Sequence, residues 1–243
     1  MKNQYVGDIN DFVKYGLLRA LTADGQRSSF VAWLLTPDDE RSDGRRLGYL
    51  RSPSKWRYRD PELFDSLQTL VQNGERSVEA VAASGIIPGA RYYADFVPQA
   101  CDARRNHFEH MLRFAAGREL IFFDPDNGLE IASCPSGRKD SPKYLLWREL
   151  IDSYLAGHSV LIYQHFPRRA REEFITATSE RIADETGAND VLAFRTSHVV
   201  FFLATQGSET AYYAERVPAL LARWEGIMVP AVIPRAAHNS SAQ

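Results

Sequence analysis

The run Leu120-Ile121-Phe122-Phe123 breaks off at Asp124-Pro125, and this break constrains the fold more than any other part of the chain. A short, unbroken apolar run reads as a strand covered on both faces, as strands inside parallel sheets are. Pro125 has no amide hydrogen to give to a ladder, so the strand ends there. Asp124 is left at the carboxyl end, followed by Asp126, Asn127, Gly128, Leu129 and Glu130. In open α/β sheets, ligands bind in the crevice beyond the carboxyl ends of the strands. A carboxylate placed there is chemically active or coordinates something; the plainer alternative is a turn cap, a role that suits Asp and Asn.

The rest of the chain repeats this plan. Ser29 to Leu35 reads as a buried strand ending at Thr36-Pro37-Asp38-Asp39, and Ser159 to Tyr163 as another ending at Gln164-His165. Ala90 to Val97 is a further candidate strand. Helical patterns cover Asp11 to Leu21 (capped by Asp8 or Asn10), Pro61 to Gln72, Ser77 to Ala83, Asp102 to Ala116, Lys143 to Leu155, Arg168 to Glu185 and Ser208 to Trp224. Glu40 to Tyr58 reads as a loop. Asp190 to Arg195 and His198 to Thr205 are separated only by Thr196-Ser197, which is hairpin spacing. Alternating strands and helices predict one α/β domain over residues 1–234, with a mostly parallel sheet and helices on both faces. A helical insertion at about 61–85 follows the first strand, an antiparallel hairpin closes the sheet, and 235–243 is a polar tail.

Composition excludes several classes. The 243 residues are 44% hydrophobic and 25% charged with net charge −2, so nucleic-acid binding would need a local basic patch. No segment approaches the roughly 18 apolar residues of a membrane span. The start, Met1-Lys2-Asn3-Gln4-Tyr5, lacks the apolar core of a signal peptide. Cys101 and Cys134 show no zinc spacing and no disulfide framework, so a reduced, cytoplasmic setting is expected.

Five groups of residues can carry chemistry. Asp11 and Lys14, three apart on a helix, share a face, and Lys14 can reach a phosphate or a carboxylate. Thr36, Asp38 and Asp43 surround the end of the first strand, where an acid often holds ribose hydroxyls; no GxGxxG is present. Asp124, Asp126 and Glu130 offer oxygen ligands to a hard ion such as Mg2+, while Asp124 and Asn127 can orient an acceptor group. Gln164 and His165 can face the same crevice, His165 as general acid or base. Arg138, Lys139, Lys143, Arg168, Arg169 and Arg171 form basic loops, and Arg45, Arg46, Arg51, Lys55, Arg57 and Arg59 interleave with Tyr49, Trp56 and Tyr58. Guanidinium groups beside aromatics suit single-stranded or flipped nucleotides.

The order of these pieces resembles the Rossmann-like methyltransferases, and most nearly the bacterial large-subunit ribosomal RNA adenine-N6 methyltransferases. Gly7, Asp8, Asp11 and Lys14 look similar to that family's N-terminal motif, residues 61 to 83 to its helical insertion, and Asp124-Pro125 to the first half of its Asp-Pro-Pro-Tyr site. The closing hairpin also looks alike. Thr36-Pro37-Asp38-Asp39-Glu40 stands in place of the family's glycine-rich cofactor loop, and Asp126 and Asn127 in place of its second proline and stacking aromatic. The resemblance implies methyl transfer from S-adenosylmethionine to nucleic acid or a nucleotide. Asp124 and Asn127 would orient the acceptor, Thr36, Asp38 and Asp43 would hold the cofactor, and Asp11, Lys14, Arg138 and Lys143 would contact substrate. The altered motif also admits a metal-dependent nuclease built on Asp124, Asp126 and Glu130 with His165 or Lys143 assisting. A third reading is an inert binding protein that keeps the fold.

Overall fold

A computed structural model of the protein describes residues 1–39 and 44–232. After a 3-10 turn at Asn3–Tyr5 come α1 (Ile9–Leu21), β1 (Ser29–Trp33), α2 (Pro53–Trp56), α3 (Pro61–Gln72), α4 (Val78–Ser84), β2 (Ala90–Tyr93) and α5 (Cys101–Ala115). Then follow β3 (Leu120–Asp124), β4 (Gly128–Leu129), β5 (Tyr144–Leu145), α6 (Trp147–Leu155) and β6 (Ser159–His165). The chain closes with α7 (Arg171–Thr186), β7 (Val191–Arg195), β8 (Val199–Ala204), α8 (Thr210–Arg223) and β9 (Val229–Val232). The main sheet has the order β2-β1-β3-β6-β8-β7-β9. β2, β1, β3 and β6 run parallel, and β8 runs against both β6 and β7. The architecture is therefore α/β and Rossmann-like, with a mostly parallel sheet and a closing antiparallel pair.

Side-chain alternation along the strands divides the core into two layers. Val31, Trp33, Phe122, Leu161 and Tyr163 point to one face, where they meet Phe12, Tyr15 and Leu18 of α1, Leu63, Phe64 and Leu67 of α3, and Leu220 of α8. Phe30, Ala32, Ile121, Phe123, Val160 and Ile162 point to the other, against Phe108 and Met111 of α5, Leu150 of α6 and Ile175 and Ile182 of α7. The helical insertion thus seals the α1 side of the sheet. No helix among the described residues is long and apolar enough to cross a membrane.

Several boundaries differ from the sequence reading. The helix expected from Lys143 begins at Trp147; Ser141–Lys143 is a 3-10 turn and Tyr144–Leu145 is extended. Pro142 favours the turn, and the Glu149 carboxylate accepts from Leu146 N (2.9 Å), which caps the helix at its later start. The expected strand from Ala90 stops at Tyr93, with one isolated bridge further on between Leu35 and Phe96. Part of the expected loop before Tyr58 is helical: Gly48–Arg51 and α2. β9 has no counterpart in the sequence reading; it forms the edge of the sheet and pairs with β7 across a register shift.

Gly16 lets α1 approach the closing helix. A β-carbon there would overlap the indole of Trp224, which is wholly buried. Gly16→Ala is expected to lower stability by about 1–3 kcal/mol, the usual cost of overpacking. Urea titration should show the midpoint falling with an unchanged slope.

Candidate functional site

A cavity of about 600 Å³ opens beyond the carboxyl ends of β3 and β6. Its lining includes Asp8, Asn10, Asp11 and Lys14 from the start of α1, Arg45 and Arg46 from the following loop, and Asp124, Asp126, Asn127, Lys143, Tyr163 and His165 from the sheet side. Asp8 explains how the first two groups meet. It caps α1 by accepting from Asn10 N (2.9 Å) with one carboxylate oxygen and accepts from Arg46 N (2.9 Å) with the other. Ile9 N donates to Arg46 O (3.3 Å), so the loop is stitched to the helix start. Both arginines are exposed, and the guanidinium of Arg45 has no hydrogen-bonding or ionic partner among the described residues.

Lys14 is the buried centre of the site. Its Nζ lies 2.8 Å from Asp11 and 2.6 Å from Asp124, and beside the rings of Tyr15 and Tyr163. Burial opposes its charge, but the two carboxylates prevail and its pKa stands well above the ordinary lysine value. Burial pushes Asp11 up to about 6, with Lys14 pulling the other way. Asp11 also accepts from Gly7 N (2.8 Å), which folds the preceding turn over the helix start. Of the alternatives open to Lys14 in the sequence, a phosphate or a carboxylate, the structure pairs it with the carboxylate 110 positions away.

The opposite wall is built from backbone. Asn127 N donates to Lys143 O (2.9 Å) and His165 N to Asn127 O (3.2 Å), so Lys143, Asn127 and His165 stand in a row. Gln164 fixes this row from behind: it accepts from Leu129 N (2.8 Å) and donates to the carbonyls of Asn127 (3.3 Å) and His165 (2.7 Å). The close approach needs Gly128, whose φ is +124° and whose missing β-carbon would overlap the Gln164 amide. His165 is open at the cavity mouth, yet desolvation first, and the Lys14 charge second, hold its pKa below 6.5. It is therefore mostly neutral at pH 7 and able to accept a proton.

The chain's first residues close the crevice between β1 and β3. The Met1 amine lies 2.8 Å from Leu34 O and 2.5 Å from Asp126, and burial holds its pKa below the usual α-amino value against the pull of Asp126. Thr36 N donates to Met1 O (2.9 Å) and Thr36 Oγ1 to Asp126 (2.6 Å). Gln4 N donates to Asp38 (3.1 Å), and Lys2 pairs with Asp39 at 2.5 Å.

These contacts sort the residues named from sequence. Asp11, Lys14, Asp124, Asp126, Asn127, Lys143 and His165 come together on the cavity. Gln164 stands behind the wall, its amide spent on backbone. Arg138 lies away from the cavity in an exposed turn closed onto Pro135 O. Asp43 lies outside the described residues. Thr36 and Asp38 are engaged by residues 1 and 4. The carboxylate trio for Mg2+ does not assemble: Asp124 is held by Lys14, Asp126 by the Met1 amine, and Glu130 accepts instead from Trp147 N (3.3 Å). Among the described residues, no group of three or more His, Cys, Asp or Glu side chains is placed to hold a metal ion. Sequence reasoning missed Tyr5, Asn10 and Tyr163 as lining residues, and read Asp8 as a cap and as part of the N-terminal motif without placing it on a cavity. Compared with known proteins, the chain matches no family model and no curated sequence.

Proposed function

We propose that the protein is an enzyme acting on a nucleotide or a nucleic-acid segment, on a methyltransferase-like fold. The observation that carries this reading is the buried Asp11–Lys14–Asp124 group on a cavity of about 600 Å³ whose rim presents Arg45, Arg46 and Lys143. That volume lies in the range of small-molecule sites. Buried charges with displaced pKa values cluster at places that do chemistry. The rim arginines suit phosphate oxygens, which they can meet in pairs of parallel hydrogen bonds. The reacting group would then lie against Asp124 and Asn127, with neutral His165 as proton acceptor and the Lys14 charge stabilising negative charge that develops nearby. Neither S-adenosylmethionine nor Mg2+ enters the proposal: of the described residues named for them, Thr36, Asp38, Asp124, Asp126 and Glu130 all hold partners within the chain. A metal ion would have to displace both Lys14 and the Met1 amine.

Binding of fluorescent single-stranded RNA and DNA, measured by anisotropy with mononucleotides as competitors, tests it. The double variant Arg45→Ala/Arg46→Ala is expected to bind at least about tenfold more weakly, with the salt dependence of log K reduced by roughly 0.7 for each phosphate that the arginines neutralise. Equal affinity and equal salt dependence in the two proteins would refute the assignment of the rim. His165→Ala should leave affinity nearly intact and remove turnover of whichever nucleotide binds.

A further inference from the structure

The polar groups of the cavity are unevenly spent. Asp11, Lys14 and Asp124 satisfy one another, and Asp8 holds the helix start and the loop of Arg46. Tyr163 lines the same cavity and is 5% exposed, yet its hydroxyl has no hydrogen-bond partner among the described residues. Other buried tyrosines are satisfied: Tyr15 Oη accepts from Trp33 Nε1 (3.3 Å), Tyr49 Oη donates to Gly7 O (3.1 Å) and Tyr154 Oη to Thr205 O (2.9 Å). The hydroxyls of Tyr212 and Tyr213 also lack partners, but they are sealed inside the protein and line no part of this cavity. A buried donor that is left unspent in a cavity wall is one that a ligand can use.

The ring that carries this hydroxyl is held on several sides. Along β6, Tyr163 and His165 share one face and Gln164 takes the other. The Tyr163 ring meets those of Phe201 on the neighbouring β8 (5.5 Å) and of His165 (5.1 Å) edge to face, and Lys14 Nζ lies 5.2 Å from its centroid. Burial pushes the hydroxyl's pKa above the ordinary tyrosine value, so at neutral pH it is a donor. Around it, Asp11 and Asp124 outnumber the single ammonium of Lys14, which disfavours a phosphate this deep, whereas Arg45 and Arg46 stand exposed at the rim. A nucleotide is therefore best accommodated with its phosphate outermost and its uncharged base inside. We propose that Tyr163 is a specificity residue of this site, its hydroxyl donating a hydrogen bond to a ring nitrogen or carbonyl oxygen of the base while Arg45 and Arg46 hold the phosphate. This assignment rests on the nucleotide reading above and adds to it the part of the ligand that the cavity reads.

The test compares the full chain with Tyr163→Phe, which keeps the ring and its packing and removes only the hydroxyl. Titration calorimetry at pH 7 uses the four nucleoside 5′-monophosphates and, as a probe without a base, ribose 5-phosphate. The wild type is expected to bind at least one nucleotide more tightly than ribose 5-phosphate. In Tyr163→Phe that nucleotide should bind roughly two- to tenfold more weakly, the range for one lost hydrogen bond, while ribose 5-phosphate binds unchanged. An equal loss for both probes, or no loss for either, overturns the role of Tyr163 and leaves the nucleotide reading standing. So does a wild type that binds ribose 5-phosphate as tightly as every nucleotide, since the cavity would then read no base. Absence of binding by all five compounds, together with failure of the oligonucleotide titrations, overturns the nucleotide reading and this inference with it.

Discussion

Lys14→Met is expected to lower stability by about 3–5 kcal/mol at pH 7, the range for removing one partner of a buried ion pair. Methionine keeps the length and most of the volume of the side chain, so the loss reports charge and not a cavity. The side chains of Asp11 and Asp124 are only 1% and 2% exposed and would be left without their cation. Against a typical total of about 5–15 kcal/mol, this is a large fraction. The pH dependence has a definite sign. Asp11 already sits near 6 through burial, and loss of Lys14 moves it further up. A carboxyl group whose folded pKa lies above its unfolded value takes up protons first in the folded state. Acidification from pH 7 to pH 5 therefore favours the folded variant, and its deficit relative to wild type should shrink. Urea unfolding at both pH values checks this; a loss under about 1 kcal/mol, equal at both, would show that the pair contributes little.

Arg104→Met is expected to cost a similar amount and to act on the cavity from a distance. The guanidinium, 1% exposed, donates to both oxygens of Glu149 (2.7 and 2.8 Å), to Ser141 O (2.7 Å) and to Tyr144 O (2.5 Å). Removing it leaves a largely buried carboxylate and two carbonyls without their donor, a loss of about 3–5 kcal/mol. Arg104→Lys should rescue little, because one ammonium cannot reproduce the planar fork. Adding Glu149→Leu should recover part of the loss, since an apolar pair in place of a buried ion pair is often close to neutral. A double-mutant cycle gives the coupling. Because Arg104 holds the turn that carries Lys143, hydrogen exchange across residues 138–146 should accelerate in Arg104→Met. If exchange there stays unchanged while stability falls, the clamp supports the core and not the cavity wall.

Much of the sheet was legible because its signal is local. Uninterrupted apolar runs ending in Asp124-Pro125, in Gln164-His165 and before Thr36-Pro37 place three polar tips on one edge. The pairing of Lys14 with Asp124 was only half legible: helical spacing put Lys14 on the face of Asp11, but nothing local says that β3 ends above that face. The loop with Arg45 and Arg46 was read as basic surface, since what binds it to the site is an Asp8 carboxylate accepting from a backbone amide. Such a contact leaves no mark on the identity of residue 46. Gln164 looked reactive for the same reason in reverse, because its partners are main-chain groups of Leu129, Asn127 and His165 that the sequence does not name. The contacts of Met1, Lys2, Asn3 and Gln4 depend on partners in the loop after β1 and at the start of α4, which the local sequence does not name.

The strands that frame the cavity pair across long stretches of sequence: Ser29 with Leu120, and Leu120 with Ser159. Contacts of that range form late, after most of the chain is available. During synthesis the pocket therefore cannot exist until β6 has emerged from the ribosome. Until then Lys14, Asp11 and Asp124 remain hydrated, and their desolvation belongs to the last steps of assembly. A nascent or truncated chain that ends before His165 would hold these charges in water, without the wall that turns them toward a ligand.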